Sequence, residues 1–451
     1  MSTLPADTTI IPAQRADDRH GVRAVVQSIV SKAMILGLQA ATGILTARAL
    51  GPAGRGELAA MILWPLFVSS VTTFGVPSSL IYYLRHQPEE RERFIANGFV
   101  ITAVLGVIAG LLTLPILPWW LHQYSPQVVR AARWFLLAVP ICSVTLAGRA
   151  VLEASHDFSA SNAIQTLTPF ATLLGLLFFF GIHRFDPYTA GLAYIVSSVP
   201  AFLFMLLRVR RLSVMVWDFQ KSAVQKIFGY GIRSYGIDLL GTLALQVDQV
   251  LVVSLLSPSA MGSYVVVLSL SRTLNLFQNS VVMVLFPKAT GQSIRTVVGM
   301  TGESARATGL VTAACGIPVC LAGPFLLQLI YGNDYVSAVG ALRILVLEVI
   351  LSGTTYVLAQ AFMALNRPGV VTILQAIGLS LSVPMMLVLI PRYGIYGAAV
   401  SLLTSTIARL IFVYIGFRVF LKTESPSLLP DGSDIRLLWS VVKKWSQERA
   451  A

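Results

Sequence analysis

The sequence predicts an all-α integral membrane protein: about twelve transmembrane helices in two six-helix lobes related as a parallel repeat. Three observations carry this. Of the 451 residues, 55% are hydrophobic and only 12% are charged, about half the charged share of soluble domains. The apolar residues run in long blocks: 58–84, 95–129, 158–183, 187–207, 307–333 and 368–391 contain no Asp, Glu, Lys or Arg, and about 20 such residues cross a bilayer. Turn signatures recur at nearly constant spacing in the two halves. The pattern excludes a soluble enzyme, a disordered chain, a disulfide scaffold and an outer-membrane barrel, whose strands would alternate rather than run apolar.

In chain order the predicted spans are 25–48, 58–83, 95–120, 129–152, 163–182, 188–208, 229–255, 262–286, 306–330, 337–364, 369–390 and 394–420. Residues 1–24 are polar, lack the apolar core of a signal peptide, and read as a cytoplasmic tail. Residues 25–208 form the first lobe, 209–228 a basic cytoplasmic linker, and 229–421 the second lobe. In the tail 422–451, Leu438, Val441, Val442 and Trp445 share one helical face beside Lys443 and Lys444, the pattern of an interfacial amphipathic helix on the cytoplasmic leaflet. Loop bases set the orientation. One side holds 19 of them, among them Arg85, Arg91, Arg208, Lys226 and Arg367, and the other only Arg55, Arg184 and Arg392. Both termini are therefore expected in the cytoplasm. The net charge of +13 follows from those loops and implies no nucleic-acid partner, since no soluble domain exists to hold one.

The repeat rests on three alignments. Pro52 and Gly56, after the first span, match Pro258 and Gly262, after the seventh, at an offset of 206. Ala131-Ala132-Arg133 matches Ala341-Leu342-Arg343, and Ile164-Gln165 matches Leu374-Gln375, both at 210. Six spans separate the copies, so both halves enter from the same side. The pseudo-two-fold axis then lies along the membrane normal, one of the two symmetry classes of secondary transporters, with the substrate site between the halves.

Catalytic and cofactor signatures are missing. There is no phosphate-loop, H-E-x-x-H, C-x-x-C or G-x-S-x-G motif, and the five histidines do not pair at metal-ligand spacing. No enzyme activity, cofactor or metal is expected. Cys142, Cys315 and Cys320 all lie in apolar stretches and suggest no disulfide.

Ionisable and amide side chains at bilayer depth are expensive, so they mark cavities or partners. Span 1 carries Lys32 and Gln39, with Arg48 at its far end; span 7 carries Arg233, Asp238, Gln246 and Asp248; span 8 carries Arg272, Asn275, Gln278 and Asn279. Arg272, Asn275 and Asn279 fall on one stripe, bordered by Gln278, which is either a cavity wall for an anion and hydroxyl groups or a helix-packing face. Asp248 is either the partner of a cavity arginine or a cation or proton site, and Asp238 sits too far along the helix to share it. Lys32 either faces the cavity or snorkels to the interface. Arg149 and Glu153, four apart, read as a local ion pair; Arg343 and Glu348, five apart, read as seeking separate partners. Cations outnumber acids at depth, which suits an anionic cargo and suits an exporter of lipophilic cations poorly.

The stretch from Ala47-Arg48-Ala49-Leu50-Gly51-Pro52 to Gly54-Arg55-Gly56-Glu57-Leu58 resembles the polysaccharide-transporter family of Wzx-type oligosaccharide flippases. That family lies in the multidrug/oligosaccharidyl-lipid/polysaccharide (MOP) superfamily. Phe74-Gly75-Val76-Pro77-Ser78-Ser79-Leu80 and Ala364-Leu365-Asn366-Arg367-Pro368-Gly369 are similar to it as well. The resemblance implies a MATE/MOP-like fold, a V-shaped pair of lobes in a bacterial inner membrane. It implies a polyprenyl-pyrophosphate-linked oligosaccharide as cargo, moved to the outer leaflet by alternating access. It further implies membrane lipids and the polymerase and glycosyltransferase machinery as partners. Cavity cations would bind the pyrophosphate; Lys32, Arg48 and Arg272 are the positions that match. Gln39, Gln246, Asn275, Gln278 and Asn279 would supply polar lining. The lipid II flippase branch has two further spans, for which this chain lacks room. A multidrug or cation antiporter of the same superfamily is the rival reading, and it would place transport on Asp238 or Asp248.

Overall fold

The computed structural model describes residues 13–212 and 220–428, the side chains of 13–30 and of Ile237 aside. The described residues contain no strand. They form sixteen α-helices in order: α1 (Ala13–Val71), α2 (Val76–His86), α3 (Arg91–Trp120), α4 (Pro126–Phe135), α5 (Val139–Ala154), α6 (Phe158–Gly181), α7 (Pro187–Val196), α8 (Ser198–Leu212), α9 (Lys221–Leu255), α10 (Pro258–Arg272), α11 (Asn275–Ala289), α12 (Ile294–Leu321), α13 (Gly323–Ile330), α14 (Val339–Ala364), α15 (Pro368–Tyr393) and α16 (Ile395–Phe420). The predicted amphipathic helix of the tail and part of the predicted linker lie outside the described residues. The described ends of that linker are helical, in α8 and α9.

Among the described residues, ten segments are long and apolar enough to cross a membrane. They account for the predicted spans once two features are noted. Spans 1 and 2 merge into α1, broken at Gly51 (φ 66°) into segments 13–50 and 52–71; glycine takes this positive φ without the cost a Cβ would bring. Span 8 is split into α10 and α11 by a tight turn at Thr273–Leu274. There, amide N–H groups reach back three residues rather than four, Leu274 to Ser271 O at 3.1 Å and Phe277 to Leu274 O at 3.3 Å. Each piece is then shorter than a bilayer crossing. The second span of each half is thus interrupted, the first between Val71 and Val76.

The turns at Gly51, Pro187 and Pro258 define a base-poor face; the helix ends and turn that hold Arg91, Arg208, Lys226 and Arg367 define a basic face. At the base-poor face the halves fuse. A Cβ on Gly56 would lie 1.7 Å from the Pro258 carbonyl oxygen, and one on Gly262 would lie 1.9 Å from that of Pro52. Each member of the repeat therefore touches its counterpart's neighbour reciprocally, as a two-fold axis requires. Trp120 Nε1 donates to Val250 O at 3.0 Å, Gln123 Nε2 to Leu255 O at 3.0 Å, and Tyr335 Oη to Ala47 O at 3.1 Å. One hydrophobic core runs through both halves here, from Met61 and Trp64 through Val250–Val253 and Tyr264 to Leu342 and Val346.

Towards the basic face that core divides in two. One part packs Leu80, Phe94, Val151, Ile164 and Met205 of the first half; the other packs Leu285, Leu358, Phe362, Leu374 and Phe417 of the second. Helix α9 straddles the division: Ala223 and Ile227 sit in the first half's core, held by Ser79 Oγ donating to Ile227 O at 2.7 Å and by Lys226 against Glu90 at 3.3 Å. The molecule is joined at one face and forked at the other.

Candidate functional site

A cavity of about 240 Å³ occupies the fork. Three elements build it. The first segment of α1 presents Lys32, Ile35, Leu36 and Gln39, spaced i, i+3, i+4, i+7 on one helical face. Opposite lie Arg272 at the end of α10, Thr273 of the turn, and Asn275, Leu276, Asn279, Ser280 and Met283 of α11. Gln165 of α6 completes the wall. Interrupted backbone at membrane depth is tolerated where it lines a cavity, and the α10–α11 break sits at this wall.

The electrostatics separate the two cations. Arg272 Nη2 pairs with Asp248 Oδ2 at 3.0 Å, and Nη1 donates to Leu245 O at 3.1 Å. Asp248 is 1% exposed, and its Oδ2 also accepts from Tyr264 Oη at 2.8 Å; Oδ1 has no partner. Behind this pair, Glu348 accepts from Thr406 Oγ1 at 2.7 Å and faces Arg409 at 3.9 Å. Buried Asp248 and half-buried Glu348 are thus each matched by an arginine. Lys32 is different: it is exposed in the cavity wall and pairs with no acid among the described residues. The amides of Gln39 and Gln165 likewise make no hydrogen bond there. The cavity therefore offers one uncommitted ammonium, one guanidinium shared with Asp248, and several free amides, with no carboxylate in its lining. Such a wall attracts an anion that carries hydroxyl groups.

Of the residues predicted from sequence, Lys32, Gln39, Arg272, Asn275 and Asn279 meet in this cavity. Three do not. Arg48 lies at the base-poor end, donating through Nε to Ile330 O at 2.8 Å and through Nη2 to Leu329 O. It caps the carboxyl end of α13, where a cation satisfies orphan carbonyls. Gln278 turns away to pack on Gly353, where a Cβ would come within 2.8 Å of its Oε1. Gln246 is half-buried on α9 and absent from the lining. Arg149 pairs with Glu153 at 3.5 Å, and Arg343 and Glu348 take separate partners. Asp238 accepts from Ser78 Oγ at 2.9 Å, apart from Asp248. Arg55, read as a loop base, is buried at 8% exposure beside the Gly56–Pro258 contact. Gln165 carries no charge to mark it as a cavity residue; the signal in the sequence is its repeat match with Gln375.

Comparison with known proteins agrees with this architecture. The sequence matches the family model described as polysaccharide biosynthesis protein over residues 45–340. A probable low-salt glycan biosynthesis flippase, Agl15 of Haloferax volcanii, is 22% identical over 181 residues. That match covers 39% of this chain and 38% of Agl15, well under half of either. Among solved structures, the lipid II flippase MurJ in an inward closed conformation superposes with a TM-score of 0.75 at 14% identity, covering 89% of this chain and 88% of that one. An inward-facing multidrug resistance MATE transporter of the MOP superfamily gives 0.66 at 14% identity, covering 86% and 94%. A MOP superfamily transporter from Pyrococcus furiosus, described as having a binding pocket of reversed polarity, gives 0.57 at 14% identity, covering 89% and 95%. The all-helical fold is that of the MOP superfamily, and the chain, a multi-pass membrane protein, belongs to the polysaccharide biosynthesis protein family.

Proposed function

We propose that this protein is a flippase that carries a polyprenyl-pyrophosphate-linked oligosaccharide across a bacterial inner membrane by alternating access, with both termini cytoplasmic. The observation that carries the reading is the cavity between the halves, in which Lys32 stands free beside Arg272 and no acid lines the wall. A sugar head group cannot cross about 30 Å of hydrocarbon unaided; a polar cleft substitutes for water while the polyprenyl tail stays in lipid. Lys32 supplies the first contact to the pyrophosphate. Arg272 adds a planar fork suited to paired phosphate oxygens, at the expense of its bond to Asp248. Rocking of the halves about the fused base-poor face would then present the cavity to the other side. Partners in this reading are the lipid-linked glycan, membrane lipids, and the polymerase and glycosyltransferases that use and make it. The rival antiporter reading needs an acid facing the cavity, and both aspartates of α9 are engaged elsewhere.

The test is Lys32→Ala. Because Lys32 holds no partner, membrane abundance is expected to be unchanged. Affinity for polyprenyl pyrophosphate should fall about tenfold, the worth of one hydrogen bond to a charged group, and surface glycan output should drop with it. Unchanged affinity in a variant of normal abundance would overturn the anion assignment. Preferential binding of lipophilic cations by the wild type would favour the antiporter.

A further inference from the structure

A second cavity, of about 220 Å³, lies inside the first half between α1, α5, α6, α7 and α8. Gln165 lines both this cavity and the one in the fork, so the two adjoin at that unpaired amide. Six hydroxyls line the inner cavity, and the five of Ser and Thr are committed in one sense. Ser69 and Ser70 both donate to Leu66 O at 2.9 Å, Thr145 to Ile141 O at 2.7 Å, Thr168 to Ile164 O at 3.3 Å, and Ser198 to Ile195 O at 2.7 Å. This back-bonding is how Ser and Thr satisfy themselves on a helix. It uses the proton of each hydroxyl and leaves its oxygen lone pairs facing the cavity. The inner cavity is therefore rich in acceptors. Its donors are Gln165, Tyr194 and Arg149, whose Nη2 pairs with Glu153 while its buried Nε has no partner.

A wall with more acceptors than donors, its arginine already paired with Glu153, offers little to a phosphate, which brings acceptors of its own. It suits a neutral molecule with several O–H donors, and the apolar side chains between the hydroxyls, Leu66, Leu146 and Ile195, suit the C–H faces of a sugar ring. We propose that the inner cavity is a subsite for the first neutral sugar of the head group, with the pyrophosphate held next to it by Lys32 and Arg272 and Gln165 bridging the two. This rests on the flippase reading and adds to it a division of labour: anion in the fork, sugar inside the first half.

Two probes separate the subsite from the reading beneath it: a polyprenyl pyrophosphate without sugar, and the same lipid carrying one neutral hexose. Equilibrium binding to the purified full chain should favour the hexose-bearing lipid at least tenfold. The isosteric pair Thr145→Val with Thr168→Val removes two acceptors and should erase most of that preference, about fivefold for each lost bond, leaving affinity for the bare lipid unchanged. Bare-lipid binding also reports folding; should the Thr pair lose both lipids, Ser70→Ala with Ser198→Ala is decisive by the same criterion. A wild type with no preference for the hexose, or a preference that survives both pairs, overturns the subsite while the flippase reading stands. Failure of the wild type to bind either lipid overturns both.

Discussion

The two faces of the molecule are built to opposite rules. At the base-poor face the halves share one core, meet backbone to backbone at Gly56 and Gly262, and exchange bonds from Trp120, Gln123 and Tyr335. At the basic face each half has its own core, and a cavity with an unpaired cation lies between. Burial stabilises the first arrangement and keeps its parts fixed, whereas the second leaves polar side chains for something else to satisfy. In the proposed alternating access, the fused end would act as the pivot and the forked end, with its cavity, would move most.

That contrast can be broken at the pivot first. Gly262→Val puts a side chain where even a Cβ would overlap the Pro52 carbonyl, and should destabilise by about 4 kcal/mol, at the upper end for overpacking. Gly241→Ala, whose Cβ would meet open space, should be close to neutral; thermal denaturation in detergent compares the two. A similar loss in both would show that the crossing is not the pivot. Next in size is Arg272→Ala, which strands the buried Asp248 carboxylate and should cost about 3 kcal/mol. Asp248→Asn on that background removes the stranded charge and should restore much of the membrane abundance; no restoration would mean that the arginine is held by more than its pair. The smallest effect is Trp120→Phe. It keeps an aromatic ring but loses the bond to the Val250 carbonyl, for about 1 kcal/mol, and it should shift the melting temperature without changing lipid affinity.

Much of this was legible in the sequence because membrane physics acts on runs and periods. Apolar blocks gave the spans, and the Pro52/Gly56 and Pro258/Gly262 matches gave the repeat whose counterparts turn out to touch. The stripe Arg272, Asn275, Asn279 and the residues Lys32 and Gln39 were found because polarity at depth has to be explained. Other features depend on tertiary neighbours. Nothing in Thr273-Leu274 signals a break, yet the helix is interrupted there. Gln278 borders the stripe on a helical wheel, but the Gly353 backbone opposite gives it somewhere else to go. The family resemblance places Arg48 among the cavity cations; its partners are the Leu329 and Ile330 carbonyls, some 280 residues away in sequence. Which of the two cavity cations is free could not be read either, since the Asp248–Arg272 bond crosses from α9 to α10.

The division of the hydrophobic interior has a consequence for how the protein comes apart. A chain with one large shared core, one core in each half and a small fourth cluster about Leu58 and Ala190 contains at least three cooperative units rather than two lobes. Amide hydrogens around Val250–Val253 and Met261–Leu268 should exchange only with global opening, because they belong to the unit both halves share. Those of α2 and of α15 near Leu374 should exchange through smaller, independent openings. Helix α9, which enters the shared core at Val250 and the first half's core at Ile227, crosses two units, so its two ends should exchange at different rates although it is a single unbroken helix.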